Sequence, residues 1–214
     1  MDKIKSFCKE HPVIFMVFYT AVYFIIFSIL EATVKPKFII HSFIDDYIPF
    51  CEYFIVPYLL WFFYVPGVLF FLVYNDRNAF WHMVKMMFVG NMICLAIYAL
   101  FPNGVHPKHF VRPDNIFTHL VNMLYHTDTP TNVCPSIHVL DTLSAHIALS
   151  RSRIVRNMPR VRLISFVFFI FVCISTVTLK QHSIIDVFAS LILMFFLERY
   201  SYGDLKNKAT LSIV

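Results

Sequence analysis

His182 and Asp186 stand four residues apart in a short polar segment, Lys180-Gln181-His182-Ser183-Ile184-Ile185-Asp186, between two apolar runs. On a helix that begins near His182, this spacing puts the carboxylate on the same face as the imidazole. One ring nitrogen is then held and the other points outward. An imidazole held this way is prepared to act as a base or a nucleophile. Two further sets have compatible chemistry. Ser136 and His138 follow Pro135, a good first residue for a helix. Lys108 and Arg112, with Pro113, lie in the polar stretch from Pro102 to Cys134. Two cations, a helix start with free amides and two histidines suit a phosphate group that is bound and attacked. Phosphoryl transfer without a metal needs a nucleophile, a proton donor for the leaving oxygen and positive charge around the equatorial oxygens.

The elements that must position these residues are apolar. Of 214 residues, 58% are hydrophobic and 14% charged, with 25 Phe and 11 Tyr, which is too apolar for a soluble domain of this size. The chain reads as an all-α, polytopic membrane protein with six transmembrane helices. A short basic start (Lys3, Lys5, Lys9) precedes a first span from His11 to Leu30, read as a retained helix because it lacks a small-residue cleavage site. Glu31 to Phe50 is amphipathic and suits the membrane interface. The second span covers Tyr53 to Tyr74, with Pro57 and Pro66 inside, and the third covers Ala79 to Phe101. The fourth, Pro135 to Ser150, is short and carries His138, Asp141 and His146, so it should face a protein interior. The fifth and sixth, Leu163 to Leu179 and His182 to Leu197, are joined around Lys180. The domain reading is a single membrane domain over 1–214: three spans in 1–101, a catalytic half in 102–197 and a cytoplasmic tail in 198–214.

Charge sets the orientation. With the N-terminus inside, 13 of the 18 Lys and Arg fall on the cytoplasmic side, and Lys35, Lys37, Lys108, Arg112 and Lys180 fall outside. Both termini are then cytoplasmic, and the three polar sets meet on the extracytoplasmic face. The net charge of +5 is accounted for by this topology, because the basic residues flank apolar runs and form no solvated patch for nucleic acid. Only four glycines are present, with no Gly-rich phosphate loop or dinucleotide fingerprint. The five scattered cysteines contain no CxxC pair and indicate neither a disulfide framework nor a zinc site. No metal or cofactor is expected.

With these residues in view, the chain resembles the type 2 phosphatidic acid phosphatase superfamily. Its second motif, Pro-Ser-Gly-His, is matched by Pro135-Ser136-Ile137-His138. Its third, Ser-Arg, five residues, His, three residues, Asp, is matched by Ser175-Thr176, His182 and Asp186. The first, Lys, six residues, Arg-Pro, is represented by Lys108 and Arg112-Pro113. The departures are Val105 at the motif Lys position, Ile137 for the motif Gly and Thr176 for the third-motif Arg. The resemblance implies a six-helix core and a metal-independent phosphatase acting on a lipid or isoprenoid phosphate in the membrane. It implies that His182 is the nucleophile, Asp186 its orienting partner and His138 the proton donor. Arg112, Lys108 and Ser136 would hold the phosphate, with Lys180 close enough in sequence to replace the missing Arg.

Loss of that Arg is shared with the similar sphingomyelin and inositol phosphorylceramide synthases, which implies the alternative of a lipid head-group phosphotransferase. A catalytically silent lipid-binding membrane protein is the third reading, motivated by the degenerate first motif and Ile137. Bland roles compete at each site residue: a core histidine for His182, a helix-start residue bonded to a carbonyl for His138, and head-group anchors for Arg112 and Lys108.

Overall fold

The computed structural model describes residues 10–106 and 111–211, with side chains through Gly203. Eight α-helices are found among the described residues. They are α1 (Pro12–Thr33), α2 (Phe43–Tyr47), α3 (Ile55–Asn75), α4 (Arg77–Leu100), α5 (Ile116–Thr127), α6 (Ile137–Arg151), α7 (Pro159–Thr178) and α8 (Ile184–Leu211). A 3-10 turn, Glu52–Phe54, leads into α3. Two two-residue strands that the all-helical expectation did not include, β1 (Phe38–Ile39) and β2 (Asn103–Gly104), pair in parallel. They fasten the chain after α1 to the chain after α4.

Helix boundaries follow local chemistry. Pro12 and Pro159 open α1 and α7, where the missing amide costs nothing. Asp76 ends α3 and starts α4, accepting from the Ala79 amide at 3.1 Å. Reciprocal capping boxes close the starts of α2 (Ser42 with Asp45) and α5 (Asn115 with Thr118). Pro66 lies inside α3, as expected of a membrane helix.

Four segments are long and apolar enough to cross a membrane: Pro12–Thr33, Glu52–Asn75, Arg77–Leu100 and Pro159–Thr178. Large apolar side chains such as Phe18, Phe63 and Ile164 point outward, as a hydrocarbon solvent requires. The fourth and sixth expected spans differ from these. With 15 residues, α6 rises about 22 Å, short of a ~30 Å hydrocarbon core. Within its apolar part, α8 carries Asp186, Glu198 and Arg199.

The short helix is the centre of the fold. α3, α4, α7 and α8 all pack on α6, and its Val139, Leu140, Ala145 and Ala148 are buried. Its polar content is therefore enclosed by protein, as its composition suggested. Asp141 accepts from Asn91 Nδ2 at 3.4 Å, and the same amide donates to the Tyr19 hydroxyl at 3.2 Å, linking α6, α4 and peripheral α1. Gly90 of α4 faces the Leu140 and Leu197 side chains so closely that a Cβ there would overlap both. That contact brings α4, α6 and α8 together.

Candidate active site

The turn from α7 into α8 builds the first half of the site. Thr176, the residue where the motif has Arg, is fully buried and turns its hydroxyl back to the Cys173 carbonyl at 2.8 Å. Its own carbonyl accepts from the amides of both Gln181 and His182, each at 3.0 Å. Lys180 adopts a positive φ of 55°, a conformation uncommon for a residue with a side chain, and so reverses the chain. His182 follows, with its side chain 8% exposed, and Nδ1 lies 3.2 Å from Asp186 Oδ2. The carboxylate is fully buried and also accepts the Ser183 amide at 3.0 Å. An ionised carboxylate only accepts, so Nδ1 is the donating nitrogen, and in the neutral ring with that tautomer Nε2 carries the lone pair.

The start of α6 builds the second half. The Cys134–Pro135 peptide is cis. The Ser136 amide then reaches the Asp186 carbonyl at 3.4 Å, and Ser190 Oγ bridges the carbonyls of Ser136 and Asp186 at 3.0 and 2.8 Å. These bonds stitch the two helix starts together. The His138 and His182 rings consequently come within 5.8 Å of each other, centroid to centroid, at 66°. His138 lies against Tyr58 (4.6 Å) and Trp61 (4.5 Å) of α3. Tyr58 is fixed in turn by donating to Asp128 Oδ2 at 2.9 Å.

Both imidazoles line one cavity of about 350 Å³, walled by α1, α3, the end of α5 and the chain from Thr129 to Val133. Its surface is mostly aromatic and apolar, with Glu31, Asp128 and Gln181 among the polar lining. Ser136 Oγ is fully buried and has no hydrogen-bond partner. It adjoins the first turn of α6, whose leading amides have no carbonyl of their own helix to bond. Such a helix start favours an anion. Burial pushes the nearby Cys134 thiol up to about 12, with the Asp186 carboxylate adding to the shift, which disfavours a thiolate there.

The expected cations are arranged differently. Arg112 is 88% exposed, pairs with Asp114 at 3.1 Å and does not line the cavity. Lys180 does not line it either: its ammonium donates to the carbonyls of Asp45 at 2.8 Å and Ile48 at 2.5 Å. In place of a phosphate clamp, Lys180 is a strut, because its left-handed backbone aims the side chain at the 42–48 segment. Lys108 lies outside the described residues. Among the described residues, the cavity lining contains neither Lys nor Arg. The described residues also contain no group of three or more His, Cys, Asp or Glu arranged to hold a metal.

Tyr58, Trp61 and Asp128 come to the site with no sequence signal, since Tyr58 and Asp128 are 70 residues apart. Asp45 had one, the Ser42 to Asp45 capping spacing. No family model, curated protein or solved structure matches the chain.

Proposed function

We propose that this chain is an integral membrane enzyme that transfers a phosphoryl group from a lipid or isoprenoid phosphate through a phosphohistidine on His182. The observation that carries this reading is the pair of imidazoles sharing one cavity, one held by a buried carboxylate. The Nε2 lone pair of His182 attacks phosphorus while the bond to the leaving oxygen breaks, and His138 delivers a proton to that oxygen. Asp186 steadies the positive charge on the modified ring. The first amides of α6 are the described donors suited to the equatorial oxygens, and the Ser136 hydroxyl, fully buried and outside the cavity lining, stands just before them. Water, activated by His138 in reverse, then breaks the P–N bond and releases phosphate. This matches the chemistry implied by the resemblance to the type 2 phosphatidic acid phosphatases.

In this reading α6 and α8 complete a six-span bundle with both termini cytoplasmic. Arg77, Lys85, Arg151, Arg153 and Arg199 support that orientation, because they gather at the end of the bundle away from the cavity. From His138 to Arg151, α6 rises about 20 Å.

One observation favours a head-group transferase as the second reading. Thr176 is buried and bonded to its own helix, Arg112 is turned to solvent, and Lys180 is committed to carbonyls. A cavity whose described lining holds no Lys or Arg suits a phosphodiester, with one negative charge, better than a terminal phosphate with two. A lipid alcohol would replace water as acceptor in the second step.

The test is phosphate release and lipid product formation from phosphatidate, prenyl pyrophosphate, a sphingoid phosphate and a phosphodiester lipid in liposomes, with and without diacylglycerol. His182→Ala should abolish both turnover and the acid-labile phosphoenzyme while the protein still folds. Turnover unaffected by that substitution would rule out the mechanism, and product that appears only with diacylglycerol would select the transferase.

A further inference from the structure

The interfacial segment from Ser42 to Ile48 lies more than 130 residues before His182, yet it is bonded to the turn that carries His182 at four points. Asp45 Oδ2 accepts from Ser183 Oγ at 2.6 Å, and Asp45 Oδ1 accepts from the Ile184 amide at 2.9 Å. From the other side, Lys180 Nζ donates to the carbonyls of Asp45 and Ile48. Asp45 is itself fixed by its capping box, with the Ser42 amide donating to Oδ2 at 2.8 Å. The bonds flank His182 on both sides along the chain.

We propose that Asp45 is a positioning residue for His182, acting through Ser183 and Asp186, with Lys180 as the second point of the same clamp. The relay is continuous. Asp45 holds the Ser183 hydroxyl, the Ser183 amide holds Asp186 Oδ2, and Asp186 holds the His182 ring. Three acceptor bonds to one carboxylate exceed what capping a five-residue helix requires. Two of them serve the start of α8, a helix that already has Asp186 in its first turn. The Ile184 amide is thereby satisfied by Asp45, and Asp186 is left to the Ser183 amide and the imidazole. A nucleophile aimed through such a relay loses rate when the outer member is loosened, even though no reacting atom is touched.

This inference rests on the phosphohistidine reading for its importance, but its test does not require a substrate. The full chain in detergent is treated with diethyl pyrocarbonate, and the carbethoxylation rate of His182 is read by peptide mass spectrometry. That rate reports how the imidazole presents its free nitrogen. Asp45→Asn and Ser183→Ala should each slow modification of His182 at least threefold and leave surface His126 unchanged. Ser183→Thr, which keeps the hydroxyl, should restore the rate. In an Asp186→Asn background, Asp45→Asn should add nothing, because the relay is already cut. A role confined to folding would instead give independent, multiplying effects and would slow other histidines as well. On whichever panel substrate the wild type turns over, kcat should fall about tenfold in Asp45→Asn with KM unchanged. Unchanged or faster modification of His182 in both Asp45→Asn and Ser183→Ala would overturn the proposal, as would multiplying effects with Asp186→Asn. Absence of His182-dependent turnover across the panel would instead sink the functional reading alone.

Discussion

The two ends of the bundle use the same residue types for different ends. At the cavity end, the His138 and His182 rings meet edge to face on the wall of one cavity, one with a carboxylate behind it. At the opposite end, His82 stacks on Tyr202 at 4.0 Å and bonds Ser201 Oγ at 3.0 Å. There Arg151 pairs with Glu198 and sits over the Tyr202 ring, and Lys85 covers the Tyr200 ring while donating to its carbonyl. Asp76 takes the Arg153 amide at 2.7 Å. Each of these groups has a partner on another element of the bundle, so this end is a fastening. The cavity end differs in leaving His182 Nε2 and the Ser136 hydroxyl without a hydrogen-bond partner among the described residues. Histidines near aromatic rings are common to both ends, and what separates them is a held imidazole beside unfilled space.

The sharpest way to break this comparison is to exchange the histidines for glutamine one at a time. His138→Gln should lower kcat about a hundredfold or more, as loss of a positioned proton donor does. His82→Gln should leave kcat within twofold and remove about 1 kcal/mol of stability through its lost contacts with Ser201 and Tyr202. Steady-state kinetics and thermal unfolding of both variants check this, and equal losses of kcat would erase the distinction between the ends.

A smaller effect is expected where the cavity wall is tied together. A Cβ on Gly104 would collide with the Pro130 carbonyl and the Pro36 ring, backbone and ring that cannot easily yield. Gly104→Ala should cost about 1–3 kcal/mol in thermal unfolding by overpacking. It should disturb the cavity end and leave the pairing around Arg151 intact.

The smallest effect is a pH dependence confined to the clamp. Burial alone would raise the Asp45 carboxyl, but the bonds from Ser183, Ile184 and Ser42, with His41 alongside, outweigh it and hold the group below its usual range. Its folded value is thus lower than its unfolded one. The stability it contributes is complete above the ordinary aspartate value of ~3.9 and fades as pH falls through the lower folded value. Melting temperatures measured from pH 6 down to pH 3 should show an acid loss that Asp45→Asn reduces. An identical acid limb in that variant would remove Asp45 from the account.

Parts of the site were legible because their signal is local. His182 and Asp186 pair on the strength of a four-residue spacing, and the Pro135 helix start carries Ser136 and His138 to one place. The helical, apolar character followed from composition, and the interior position of α6 from its polar residues. The cations were not legible. Arg112 and Lys180 are near the motifs in sequence, yet nothing local says whether a long side chain turns to the cavity, to Asp114 or to the carbonyls of Asp45 and Ile48. The aromatic wall was hidden for the same reason, since Tyr58 and Trp61 meet His138 only after α3 has packed on α6.

By itself, then, the sequence determined the apolar helices, the helix start at Pro135 and the His182–Asp186 pair, all set by composition or by spacing within a few residues along the chain. The tertiary structure alone decided that two helix starts share a cavity, that Lys180 braces where it was expected to grip, and that Asp45 reaches His182 through Ser183. Such contacts depend on which distant backbone lies beside each polar group, and only the packed bundle fixes that.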